Sequence, residues 1–136
     1  MPQKRDTYDM KFSFPIYSWL IMAGPITLFV AIIFMLAGAA KLMSGPGVIE
    51  EFRQIGFGQW LRYFTGILEI AGAIGVLIPT LRFRAALLIA TVMAGATVTN
   101  LFILHIPALA GLTAALMALT LTLAWQWRPR MKTSRP

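Results

Sequence analysis

The chain has 136 residues, 58% of them hydrophobic and only 12% charged, with a mean hydropathy of +0.73; a soluble domain of this size carries roughly a quarter charged residues, so the balance points to a membrane protein with room for one unit. The formal charge of +7 does not indicate nucleic acid, because the bases lie in clusters between apolar runs and no basic patch is interleaved with aromatics. With no cysteine and a single histidine, disulfides, thiolate nucleophiles, cysteine-ligated iron–sulfur clusters and a self-supplied bis-histidine haem are excluded, and no GxGxxG or P-loop spacing offers a nucleotide site.

Residues 17–40 form the first span, 24 positions without a charge, long enough to cross a hydrocarbon core of roughly 30 Å at 1.5 Å per residue. Lys4, Arg5 and Lys11 precede it, and Ala37-Gly38-Ala39 resembles a cleavage site. Signal-peptide apolar regions run about 7–15 residues, so this longer run is expected to stay attached as a helix. Gly24-Pro25 within it reads as a tolerated kink. The following loop is the only sizeable one. After Gly45-Pro46-Gly47, read as a breaker, Val48, Ile49, Phe52 and Ile55 share one helical face, and Glu50, Glu51, Arg53 and Gln54 fall on the other. This pattern predicts a short amphipathic helix in the membrane interface, ended by Gly56-Phe57-Gly58 and serving as either a connector or a lid.

The second span, 61–78, is interrupted by Arg62 and Glu69 and ends at Pro79. The third, 85–104, and the fourth, 108–127, are uncharged, and His105 and Pro107 lie between them. Residues 128–136 read as a basic, disordered tail. The fold class expected is an all-α membrane protein, a four-transmembrane-helix bundle over 1–136 with both termini on one side. That side would hold nine bases (Lys4, Arg5, Lys11, Arg82, Arg84, Arg128, Arg130, Lys132, Arg135) and the other three (Lys41, Arg53, Arg62), so both termini are expected to be cytoplasmic. Tyr17, Trp19, Trp125 and Trp127 would mark the inner interface, and Trp60 and Tyr63 the outer.

Glu69 is the residue that needs explaining, since an isolated carboxylate in hydrocarbon is costly. The second span runs inward, which places Glu69 about 12 Å below Leu61, and the third runs outward, which would bring Asn100 near the same level and His105 to the outer mouth. Lys41 closes the first span and can reach down on its long stem. Arg62 lies two turns above Glu69 on the same face. Small residues on that face, Gly66 and Gly72 among them, allow close helix approach. Thr97 and Asn100 share a face of the third span with Met93 and Leu104. Two readings stay open. Glu69 is either ionised, paired with Lys41 or Arg62 (Lys41 being the better partner, since Arg62 is expected at the interface beside Trp60 and Tyr63) and hydrogen-bonded by Asn100, or it is a proton- or substrate-binding group in a pocket on the outer side. His105 reads first as an interfacial cap of its loop and second as an acid–base group at the pocket mouth. No metal site and no catalytic residue is read.

AGAAKL at 37–42, the amphipathic loop, IGFGQWLRYFTGILEIAGAIGVLIP at 55–79 and Arg82 opening the third span together resemble the DoxX-like family, most recognisably in GILEIAGAIGVL around Glu69. The resemblance covers roughly residues 34–105 and places the family's pattern on Lys41, Gly66, Glu69, Gly72 and Gly75. It implies a small multi-pass protein of the bacterial or archaeal inner membrane. The family takes its name from a subunit of a thiosulfate:quinone oxidoreductase, and some members are linked to complexes handling oxidative or thiol stress. The function it implies is that of an accessory, non-catalytic subunit of a redox-linked membrane complex, with a quinone-facing or proton-accepting pocket at Glu69. No cofactor ligand transfers, and the lack of cysteine argues against thiol chemistry in this chain. Two alternatives are a small proton-coupled solute carrier and a purely structural membrane partner. The expected partners are the lipid bilayer, other membrane or redox proteins and further copies of the chain.

Overall fold

Five helices, and no strand, make up the regular structure of residues 14–129, which the computed structural model describes. They are α1 (Phe14–Leu42), α2 (Pro46–Ile55), α3 (Gln59–Leu77), α4 (Arg82–Phe102) and α5 (Pro107–Trp127). Four of them, α1 from Gly24 onward, α3, α4 and α5, are long and apolar enough to cross a membrane. The tail beyond Pro129 and the bases at Lys4, Arg5 and Lys11 lie outside the described residues.

The short helix α2 follows from its ends. Pro46 opens it rather than breaking it, because proline at a first helical position gives up an N–H that would have no partner in the helix anyway. Gly56 closes it at φ +83°, donating its N–H to the Arg53 carbonyl at 3.2 Å. Phe52 is buried, and α2 packs on α3 through that face while Arg53 and Gln54 are exposed.

The turns joining α3 to α4 and α4 to α5 are four residues each, too short for anything but antiparallel neighbours. The spans pair in order: α1 with α3, α3 with α4, and α4 with α5. No comparable pairing joins α1 to α5 among the described residues. Val30 and Phe34 of α1, Val76 of α3, Ile89 and Met93 of α4 and Leu123 of α5 form the shared core. One end of the bundle carries α2 and the α4–α5 turn, the α2 side; the other carries the α3–α4 turn, the turn side.

Two boundaries differ from the sequence reading. Arg82 and Arg84 belong to the first turn of α4 rather than to the loop, and α4 stops at Phe102, short of Leu104. Charge marks where the side chains leave the apolar layer, whereas the backbone keeps its helical bonds past that point.

Candidate functional site

Lys41 sits in the last turn of α1, and Glu69 lies roughly 15 Å down α3 from Gln59. The two helices meet at Gly38 and Gly66. A Cβ on Gly38 would stand 2.6 Å from the Gly66 carbonyl oxygen and 2.7 Å from Ile70 Cγ1, and one on Gly66 would stand 3.1 Å from Lys41 Cβ. The bare backbone at Gly66 therefore clears the path along which the Lys41 stem descends. Its Nζ donates to Glu69 Oε1 at 3.0 Å and to Oε2 at 2.9 Å. Glu69 is 2% exposed and Lys41 22%, so the carboxylate is enclosed while the ammonium keeps an edge toward the α2 side.

Arg62 does not pair with Glu69. Its Nε donates to Gln59 Oε1 at 2.8 Å, and its Nη1 donates to Ser44 Oγ at 2.7 Å and to the Lys41 carbonyl oxygen. The guanidinium lies 4.3 Å from the centre of the Tyr63 ring. Helix C-termini leave their last carbonyls without internal partners and carry partial negative charge, so Arg62 caps α1 from α3. Ser44, at φ +59°, turns the chain out of α1 and completes this cap, donating to the Leu42 carbonyl at 3.2 Å. Two basic residues thus tie the same pair of helices in opposite directions: Lys41 from α1 to a side chain of α3, Arg62 from α3 to the main chain of α1.

Asn100 is buried, at 4% exposure, but it is not at the level of Glu69 and does not bond to it. Gly72 lies against Ile89 and Gly75 against Ala85, since Cβ atoms there would stand 2.5 Å from Ile89 Cγ1 and 2.7 Å from Ala85 Cβ. This antiparallel register puts Glu69 opposite Val92 and Asn100 opposite Leu61, roughly 12 Å apart along the axis. The expectation of a shared level rests on the outward run of the third span, which gives direction but not register; the contacts of Gly72 and Gly75 with α4 set the register and place Asn100 toward the α2-side end. Thr97 also stands apart from Glu69. Its hydroxyl donates to the Met93 carbonyl at 2.7 Å and meets Thr113 Oγ1 at 2.9 Å, joining α4 to α5. His105 is exposed at φ +55° with Nδ1 3.1 Å from the Ile103 carbonyl oxygen, part of the turn and separate from the Lys41–Glu69 pair.

Gly38, Ser44, Gln59 and Arg82 carry structural roles that the sequence reading did not assign. Gly38 had a signal, since it shares the Lys41 face at a spacing of three, but the sequence reading considers Ala37-Gly38-Ala39 for its resemblance to a cleavage site and not for helix packing. Arg82 repeats the Arg62 device on the turn side. Its Nε donates to the Val76 carbonyl at 3.1 Å, capping α3, and its guanidinium lies 5.7 Å from the Trp127 ring of α5.

Chemically, Glu69 has both oxygens held by one ammonium, and Lys41 and Glu69 neutralise each other. Among the described residues no group of three or more histidines, cysteines or carboxylates is placed to hold a metal. The model of the DoxX-like family matches residues 26–125, well beyond the segment around Glu69 and across all four spans. No curated protein and no solved structure matches the chain. With four apolar spans and a family match over most of its length, this multi-pass membrane protein belongs to the DoxX-like family.

Proposed function

We propose that the protein is a non-catalytic integral subunit that helps assemble a redox-linked membrane complex, held with both termini in the cytoplasm of a bacterial cell and its α2 side outward. The observation that carries this reading is the Lys41–Glu69 pair, whose geometry suits a fixed strut better than a carrier site. A group that loads and releases a proton or solute must change partners during its cycle. Here the carboxylate is enclosed, bound through both oxygens and backed by a backbone-to-backbone crossing at Gly38 and Gly66. The redox setting is drawn from the family resemblance, and the orientation from the division of bases. Any quinone chemistry is assigned to partner subunits, because Lys41 and one edge of Arg62 are committed to holding α1 against α3.

Mild-detergent capture of the tagged protein from its native membrane, followed by mass spectrometry, tests the proposal. Stoichiometric recovery of redox subunits is the expected result. Recovery of the chain alone, together with proton or solute flux in proteoliposomes that is lost in Glu69→Gln, would replace it with the carrier reading.

A further inference from the structure

We infer that the α2 side of the bundle binds a small oxyanion, with Arg62 as the charged donor and Asn100 as a neutral one. Arg62 is 2% exposed within a membrane span, and the groups that bond it among the described residues are uncharged: Gln59, Ser44, the Lys41 carbonyl and the Tyr63 hydroxyl. Among the described residues no carboxylate lies within salt-bridge distance of it, and Glu69 is already taken by Lys41. A buried cation without a counter-charge is costly in a low-dielectric layer. The C-terminal carbonyls of α1 supply the equivalent of about half a negative charge, which leaves the remainder unmatched. The bonds to Gln59, Ser44 and the Lys41 carbonyl engage Nε and Nη1, so the planar fork retains an edge for an oxyanion.

Asn100 is an independent observation. Its side chain makes no hydrogen bond among the described residues although it is 4% exposed. Fully enclosed polar side-chain atoms among those residues all have partners, so an Asn100 amide atom without one is not fully enclosed and can be reached from outside the protein. The register that places Asn100 opposite Leu61 puts it within about one residue of the Arg62 level, on the buried face of the adjacent helix. A guanidinium edge and an amide N–H at one depth suit a phosphate or carboxylate group. That group belongs either to a free ion or to the headgroup of an anionic lipid.

Thermal unfolding of the delipidated protein in neutral detergent, titrated with inorganic phosphate at constant ionic strength set by sodium chloride, is the test. A parallel arm compares nanodiscs of phosphatidylcholine with and without phosphatidylglycerol. A saturable rise in Tm with phosphate identifies a free-ion site, and a rise only with phosphatidylglycerol identifies the headgroup as the source. In either case Asn100→Leu, which breaks no hydrogen bond among the described residues, should fold with an unchanged Tm in the absence of the anion. It should also bind about tenfold more weakly, the loss of one good hydrogen bond. Absence of a saturable response in both arms, or a response that is the same in Asn100→Leu, overturns the inference.

Discussion

A methyl group at position 38 would stand 2.6 Å from the Gly66 carbonyl oxygen and 3.2 Å from the Ile70 amide nitrogen, both backbone atoms that no rotamer change can move. Gly38→Ala should therefore force α1 and α3 apart and lower stability by about 1–3 kcal/mol, the usual cost of overpacking. Gly95 on α4 is the control, since a Cβ there meets nothing within 4 Å. Gly95→Ala should raise helix stability by up to about 1 kcal/mol through reduced backbone freedom in the unfolded chain. Thermal unfolding in one detergent ranks the two, and equal effects would mean that the helices do not cross at Gly38. The two basic residues differ in what their loss leaves behind. Lys41→Met strands a buried carboxylate, at a cost of about 3–5 kcal/mol. Arg62→Met strands only a carbonyl, a hydroxyl and an amide, at about 1–3 kcal/mol. Lys41→Met should therefore give the larger drop in midpoint.

Among the elements, α2 has its own electrostatics. Arg53 donates to both carboxylate oxygens of Glu50, at 2.7 and 2.6 Å, and these hydrogen bonds, with a further one from Gln54, hold the exposed Glu50 carboxyl down from 4.5 to about 2. A depressed carboxylate contributes stability that is present above its unfolded value and is lost as pH falls through the folded one. The polar face of α2 should thus persist through pH 4.5 and loosen toward about pH 2. Side-chain carboxyl NMR of Glu50 reads this directly, and a midpoint near 4.5 would show that the pair is absent in solution. The existence of α2 was legible from the sequence because a period of 3.6 separates its apolar face from its charges. The four spans were legible because each is a long apolar run, uncharged in three of them and interrupted only by Arg62 and Glu69 in the second. The Lys41–Glu69 pairing was legible as the better of two options, because Lys41 closes α1 and reaches down on a long stem while Arg62 stays at the interface beside Trp60 and Tyr63. What the sequence did not show is how the two bases are held: Gly66 opens a path for Lys41, and the bare end of α1 draws Arg62 away. The depth of Asn100 was misread because hydropathy does not fix register; the contacts of Gly72 and Gly75 with α4 do.

For the whole molecule, the basic ties lie at opposite ends of the bundle: Arg62 and Lys41 join α1 to α3 on the α2 side, and Arg82 joins α3 and α4 to α5 on the turn side. The proposed orientation puts reporter fusions after Pro136 in the cytoplasm and fusions within 45–58 outside, and an active periplasmic reporter after Pro136 would reverse it. The central claim is that Glu69 is a charged strut between α1 and α3. It is tested most directly by a double-mutant cycle of Lys41→Met and Glu69→Gln, read by thermal unfolding in detergent. The expected result is a double mutant more stable than the sum of the single losses, with a coupling of about 1 kcal/mol or more, on the order seen for residues in contact, because removing both partners leaves neither member of the pair as an unpaired charge. Strict additivity would contradict the account, showing that Lys41 and Glu69 do not interact and that Glu69 is free to serve as a proton- or solute-binding group.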